Sequence, residues 1–194
     1  MNFCNHCGSP VQIAVPDGDN RPRHVCTADD CGMVHYQNPN IVAGCLIEHE
    51  ERLLLCRRAI EPRYGLWTLP AGFLENGESV EEGARRETRE EATAEVEILQ
   101  LYSMFSLTHI NQVYMLFRAR LQESGGYAAG EESLDVRLFD EAGIPWEQIA
   151  FPVIHQTLRH YFEDRRRGEF RTHIGSVRAV GNGPQRRIQV EMLS

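Results

Sequence analysis

The sequence has no apolar run long enough to cross a bilayer. Its longer runs, such as Ile41–Ile47, fall far short of the about 20 residues that a spanning helix needs. The first residues, Met-Asn-Phe-Cys-Asn-His-Cys, lack the basic and apolar regions of a secretory signal. These two absences predict a cytoplasmic protein with no membrane partner. Positive charge is also scarce. There are 20 Lys and Arg against 28 Asp and Glu, a net charge of −8, so general electrostatic affinity for nucleic acid is not expected. A small phosphorylated ligand stays open, because a metal or a local arginine cluster can invert the field. No internal repeat or low-complexity tract interrupts the 194 residues, enough for one medium domain and a small appendage.

Residues 1–39 are poor in large apolar side chains and hold the turn formers Pro16-Asp17-Gly18-Asp19-Asn20. So short a piece cannot bury enough core to fold alone. Four of the six cysteines lie here, as Cys4-Asn5-His6-Cys7-Gly8 and Cys26-Thr27-Ala28-Asp29-Asp30-Cys31-Gly32. Two close pairs separated by a polar stretch have the pattern of a zinc ribbon, with Cys4, Cys7, Cys26 and Cys31 as ligands. Structural Zn²⁺ would supply the missing folding energy, and four thiolates would close its tetrahedron. His6, His24 and His35 stand as alternative ligands. Cys45 and Cys56 lie in apolar runs and read as buried strand residues without a catalytic role.

Beyond Asn38-Pro39-Asn40 the pattern becomes α/β. Ile41–Ile47, Leu53–Cys56, Val96–Ser106, Gln112–Arg120 and Leu134–Phe139 read as strands. Ala59–Leu69 reads as a loop, Pro70-Ala71-Gly72 as a turn, and Glu123–Glu132 as a glycine-containing loop. Ser79–Ala92 reads as a helix, with Ser79 as N-cap and Glu82 completing a capping box. Val153–Arg167 reads as an amphipathic helix whose Ile154, Leu158, Tyr161 and Phe162 form a core stripe. Residues 40–167 are thus taken as the main domain and 168–194 as a C-terminal extension. The extension is locally basic through Arg171, Arg178, Arg186 and Arg187, and Gly181-Asn182-Gly183-Pro184 interrupts it. It is open between a flexible tail and a segment that packs on a partner subunit.

Chemistry concentrates in Ala71–Glu95, where carboxylates crowd together. At about 100° per residue, Glu87, Glu90 and Glu91 share one arc of the helix. Like charges so placed repel, and nothing local repays that cost. Ala84, Thr88 and Ala92 occupy the neighbouring arc and permit close packing on a sheet. Hard oxygen ligands held this way suit Mg²⁺ or Mn²⁺ beside substrate phosphates.

Gly72, five residues, Glu78, seven residues, then Arg86-Glu87-Thr88-Arg89-Glu90-Glu91 resembles the Nudix box. Every charged position and the first glycine match. Thr88 stands where the pattern has an aliphatic residue, and Thr93 where it has a second glycine. The resemblance implies an α/β/α sandwich around a mixed sheet, here preceded by the ribbon. It implies Glu87, Glu90, Glu91 and the Gly72 carbonyl as Mg²⁺ or Mn²⁺ ligands. Arg86 would orient a box glutamate, and Glu78 would support the loop and reach a metal through water, which places both with Glu90 and Glu132 in the catalytic set. The ribbon with Tyr36-Gln37-Asn38-Pro39 also resembles the zinc-ribbon Nudix branch that includes NADH pyrophosphatases. Between Val96 and Gly130, however, the Ser-Gln-Pro-Trp-Pro-Phe-Pro signature of those enzymes is missing.

Gly44–Glu50, Leu54–Arg58, Tyr64–Gly72, Glu132-Ser133-Leu134 and Arg137-Leu138-Phe139 resemble the plant chloroplast Nudix enzymes that hydrolyse FAD and ADP-ribose. The resemblance implies a dinucleotide pyrophosphatase releasing AMP, with Glu132 in the metal set or as base, and a homodimer. Arg57, Arg58 and Arg63 are candidates for holding phosphates, and Trp67 for stacking on a ring of the substrate. Rival expectations are a hydrolase of NADH or of oxidised nucleoside triphosphates, a nucleotide sensor without turnover, and a ribbon that binds nucleic acid through Arg21, Arg23 and His24. The complete glutamate set disfavours the sensor. The ribbon lacks an extended basic stripe with aromatic platforms.

Overall fold

A computed structural model describes residues 1–122, 126–181 and 187–193. It divides into two compact units, Met1–Asn38 and Pro39–Ser194. The smaller unit is a three-stranded antiparallel sheet of β1 (Val11–Ala14), β2 (Arg23–Cys26) and β3 (Val34–His35). Its β1–β2 turn contains Gly18 at φ 81°. There the Asp19 carboxylate accepts from the Asn20 amide at 2.7 Å and from Arg23 Nε at 2.9 Å.

The larger unit is built on a nine-stranded mixed sheet. Its strands are β4 (Asn40–His49), β5 (Arg52–Arg58), β6 (Trp67–Thr68), β7 (Ala71–Phe73), β8 (Val96–Leu107), β9 (Gln112–Leu121), β10 (Ser133–Phe139), β11 (His173–Val180) and β12 (Arg187–Met192). The main path runs β10-β5-β4-β9-β8-β11-β12, with β6 paired to β5 and β7 to β4. The β4–β9 and β8–β11 pairs are parallel, and the others are antiparallel. Of Pro70-Ala71-Gly72, read above as a turn, Pro70 is a bend and Ala71 and Gly72 open strand β7. Gly44 explains how: a Cβ there would lie 2.3 Å from the Ala71 Cβ, so only glycine lets β7 lie flat on β4.

Two helices cover opposite faces. Strand residues alternate between them, with Leu46, Leu53 and Leu55 in one core and Cys45, Ile47 and Leu54 in the other. Helix α2 (Pro152–Arg167) seals the first core with the expected stripe Ile154, Leu158, Tyr161 and Phe162, all buried. Each such side chain contributes about 1.5–3 kcal/mol by leaving water. Helix α1 (Val80–Ala92) closes the second with Ala84 and Ala92. Its capping box is formed: Ser79 Oγ accepts from the Glu82 amide at 3.2 Å, and the Ser79 amide donates to the Glu82 carboxylate at 2.7 Å. Thr88 is fully buried, and its hydroxyl donates to the Ala84 carbonyl at 2.8 Å. That bond is how α1 tolerates a hydroxyl where the Nudix pattern has an aliphatic side chain.

The C-terminal segment is not a free tail over its described length. Strand β11 pairs parallel with β8, and β12 extends the sheet beyond it. Asn182, Gly183, Pro184 and Arg186 lie outside the described residues, as do the first positions of the 123–132 loop. None of the described helices is long and apolar enough to cross a membrane.

Candidate functional site

In the small unit the four cysteines converge, with all four sulfurs within 4.8 Å of one another. Cys7 Sγ lies 3.5 Å from Cys26 Sγ, and Cys4 Sγ lies 3.9 Å from Cys31 Sγ. Tetrahedral thiolates at about 2.3 Å from zinc are about 3.8 Å apart, whereas a disulfide needs about 2.05 Å. The His6 amide donates to Cys4 Sγ at 3.4 Å. Hydrogen bonds from Ser9 pull the Cys7 thiol down to about 6. The donor set therefore fits Zn²⁺. One zinc per chain is expected on elemental analysis, and none in Cys26→Ser. Chelation should unprotect the amides of residues 1–38 in hydrogen exchange, because the metal supplies the folding energy. Full protection after complete zinc removal would refute that dependence.

In the large unit, α1, β5, β7 and the segment before β10 surround a cleft of about 720 Å³. Gly72, Arg86, Glu87, Glu90, Glu91 and Glu132 all line it. Gly72 is required by contact: a Cβ there would sit 2.3 Å from the Glu87 carboxyl carbon. The Glu87 carboxylate thus rests on the β7 backbone at Gly72.

Arg86 organises the acidic cluster. It donates through Nη1 to Glu87 at 2.7 Å and to Glu90 at 2.9 Å. Through Nε and Nη2 it grips both oxygens of Glu78, and Nη2 also reaches the Phe73 carbonyl at 3.0 Å. The Arg86 bonds, with the Glu75 amide, hold Glu78 down to about 2. Glu78 therefore stays a carboxylate that anchors Arg86 and the Glu75 turn, at the back of the cluster.

Glu91 has weaker support, from the Ala71 amide and the charge of Arg58. It is 6% exposed, and burial pushes its carboxyl up to about 8. Repulsion from Glu87 and Glu132 adds to this, and the nearby Arg58 offsets part of it. Burial raises Glu87 in the same direction, against its bonds from Arg86. A desolvated group of carboxylates with too little countercharge fits a divalent cation. Hard oxygens from Glu87, Glu90, Glu91, Glu132 and the Gly72 carbonyl suit Mg²⁺ or Mn²⁺.

The cation candidates separate. Arg58 is buried at the cleft, with Nε donating to the Pro62 carbonyl at 2.9 Å and the guanidinium 5.2 Å from the Phe151 ring. Arg63 also lines the cleft. Arg57 points the other way on β5, exposed, bonded to the Gly65 carbonyl at 2.8 Å and away from the cleft lining. Trp67 is buried in the α2-side core, edge-on to Phe139 at 4.9 Å, and is not part of the lining. The reason is register: Trp67 pairs with Arg57, so both lie on the face opposite Arg58. Cys45 and Cys56 are buried thiols facing the Ala84 and Glu91 carbonyls.

The rest of the cleft wall was not legible in the sequence. It is lined by Ile60, Leu107, His109, Tyr114, Phe151 and Val177. Val177 O accepts from His109 Nδ1 at 3.2 Å, which leaves Nε2 as the free imidazole nitrogen. Tyr114 follows the strand alternation of β9 and looks like any core aromatic in the chain. Only its position beside Arg58 and Glu91 sets it apart.

A family model of the NUDIX domain matches residues 38–164, more than half of the chain, and a second, the Nudix N-terminal zinc ribbon, matches residues 2–37. The chain belongs to the Nudix hydrolase family. It is 52% identical to a NUDIX hydrolase from Nitrosomonas europaea of known crystal structure, with a TM-score of 0.86 over 91% of this chain and 98% of that one. An NAD-capped RNA hydrolase, NudC, from Chromobacterium violaceum is 28% identical over 160 residues, 81% of this chain and 57% of that protein. An ADP-ribose pyrophosphatase from Methanocaldococcus jannaschii is 29% identical over 123 residues, 60% of this chain and 69% of that protein. The chain thus spans little more than half the length of the first of these two curated relatives.

Proposed function

We propose that the chain is a divalent-metal-dependent pyrophosphatase of AMP-containing dinucleotides, acting on FAD, ADP-ribose or both. The observation that carries this reading is the cluster of Glu87, Glu90, Glu91 and Glu132, with Glu87 and Glu91 desolvated, in a cleft that also has an apolar wall. The acidic cluster suits a diphosphate with its cation, and the apolar wall suits a ring system. The names of the relatives, an ADP-ribose pyrophosphatase and an NAD-capped RNA hydrolase, support AMP-bearing substrates. NADH is therefore a second reading, weakened by the missing downstream signature. A homodimer belongs to the same proposal.

Water attacks one phosphorus of the bridging diphosphate. The P–O bond to the bridge breaks, and the departing phosphate carries the electron pair. FAD gives FMN and AMP; ADP-ribose gives ribose 5-phosphate and AMP. Mg²⁺ or Mn²⁺ held by the glutamates supplies Lewis-acid neutralisation of the diphosphate charge. Arg58 and Arg63 bind phosphate oxygens from the opposite wall. Glu132 accepts the proton of the attacking water. Arg86 holds Glu87 and Glu90 in place and keeps Glu78 from competing for the cation. Phe151 and Tyr114 exclude water and offer a face to the ring.

The test is product analysis of FAD, ADP-ribose, NADH and nucleoside triphosphates with Mg²⁺ or Mn²⁺, for the parent and Glu90→Gln. AMP from a dinucleotide, lost by at least about a hundredfold in the variant, is expected. Pyrophosphate from a triphosphate would favour the nucleotide-sanitising reading. Binding without turnover of any compound would favour the sensor.

A further inference from the structure

Thr93 ends α1 in the left-handed region, at φ 46° and ψ 32°. A β-branched side chain is strained there, and glycine is not. Glycine is also what the Nudix pattern places at this position. Strain of this kind persists only where the surroundings over-determine it.

The surroundings supply a reason. The Thr93 hydroxyl donates to the Ala128 carbonyl at 3.0 Å. Beside it, the Ala128 amide donates to the Ala92 carbonyl at 2.9 Å, and the Gly130 amide to the Glu91 carbonyl at 3.1 Å. Residues 128–130 therefore lie along the C-terminal turn of α1 and satisfy carbonyls that a helix end leaves open. The approach is as close as backbone permits, since a Cβ on Gly130 would fall 1.7 Å from the Glu90 carbonyl oxygen. Two residues further on is Glu132, whose own carbonyl accepts from the Ala59 amide at 2.8 Å. The turn of helix that aims Glu91 into the cleft thus also carries the segment that presents Glu132.

We propose that Thr93 is a positioning residue: its hydroxyl clamps residues 128–130 to the end of α1 and so sets Glu132 against Glu87 and Glu91. Glycine would relax the helix end and remove the clamp. The proposal rests on the reading of Glu132 as part of the reacting site.

The test compares the full-length parent, Thr93→Gly and Thr93→Ser in the presence of zinc. Amide hydrogen exchange is followed at Ala128 and Gly130, and kcat and KM are measured for ADP-ribose with Mg²⁺. Thr93→Gly is expected to speed exchange at both amides and to lower kcat about tenfold with KM unchanged. Its melting temperature stays at or above the parent's, which rules out simple destabilisation. Thr93→Ser keeps the donor, so it restores slow exchange and turnover. Parent-like exchange in Thr93→Gly overturns the clamp. Faster exchange with parent kcat overturns its role in positioning. If the parent turns over no dinucleotide, the proposed function fails, and the exchange comparison alone then decides the clamp.

Discussion

Glu91→Gln is expected to lower dinucleotide turnover by about a thousandfold and, at pH 8 without Mg²⁺ or Mn²⁺, to raise the melting temperature. Both effects have one cause. In the folded chain, burial first, and then Glu87 and Glu132, push the Glu91 carboxyl up to about 8. In the unfolded chain it titrates near about 4.3. Between those values the folded state holds a proton that the unfolded state has released. Stability from this group is therefore greatest below about pH 4.3, falls as pH rises, and reaches its floor above about pH 8. The span corresponds to on the order of 3–5 kcal/mol, with Glu87 adding a contribution of the same sign. Glutamine carries no charge to desolvate, so the variant loses this slope. The cation also needs the carboxylate, so Mn²⁺ affinity in the parent should climb with pH towards 8 and do so far less in the variant. Thermal scans of both proteins from pH 5.5 to 8.5 in divalent-free buffer are the check. A difference in melting temperature between parent and variant that stays constant through that window would show that Glu91 is not protonated in the fold.

The box glutamates could be located from sequence because helical period and charge together leave few alternatives. Three carboxylates on one arc, next to an arc of Ala84, Thr88 and Ala92, place the small face on the sheet and the acidic face at its edge. The same logic fails for Trp67 and Arg57. Trp67 takes its side from the register of a two-residue strand, β6, that no alternation announces, and Arg57 from its place on β5, where residues buried on both faces hide the period. It fails again for β11. The inward positions of this strand are His173, Gly175 and Val177, so a polar and a minimal side chain hide its period. Phe151, Leu107 and Val177 carry no mark in the sequence, because a cleft wall and a core use the same residues. The convergence of Cys4, Cys7, Cys26 and Cys31 was legible for the opposite reason: their spacing carries the geometry.

The concealed His173 leads to the other large expected effect. Asp164 on α2 is 1% exposed and accepts from His173 Nε2 at 2.7 Å and from the Tyr102 hydroxyl at 3.0 Å. His160 stacks on His173 with ring centres 4.0 Å apart. Burial alone would raise the Asp164 carboxyl, but the bonds from His173 and Tyr102 outweigh it and hold the group below its usual range. Its contribution is thus present above about pH 3.9 and is lost as pH falls through the lower folded value. Asp164→Ala leaves a buried phenol and imidazole without their acceptor, at a cost of about 3–5 kcal/mol. In a chain of this size the melting temperature should drop by roughly 6–20 °C. Asp164→Asn keeps an acceptor and should lose much less. The damage should also reach the cleft. His173 and Val177 share β11, and the Val177 carbonyl orients His109 at the cleft wall. Below its melting temperature, Asp164→Ala should therefore raise KM for the dinucleotide several-fold while kcat changes little, because Glu87, Glu90 and Glu91 lie on α1 against the other face of the sheet. A fall in kcat with KM unchanged would instead mean that the network reaches the reacting atoms by a route other than β11.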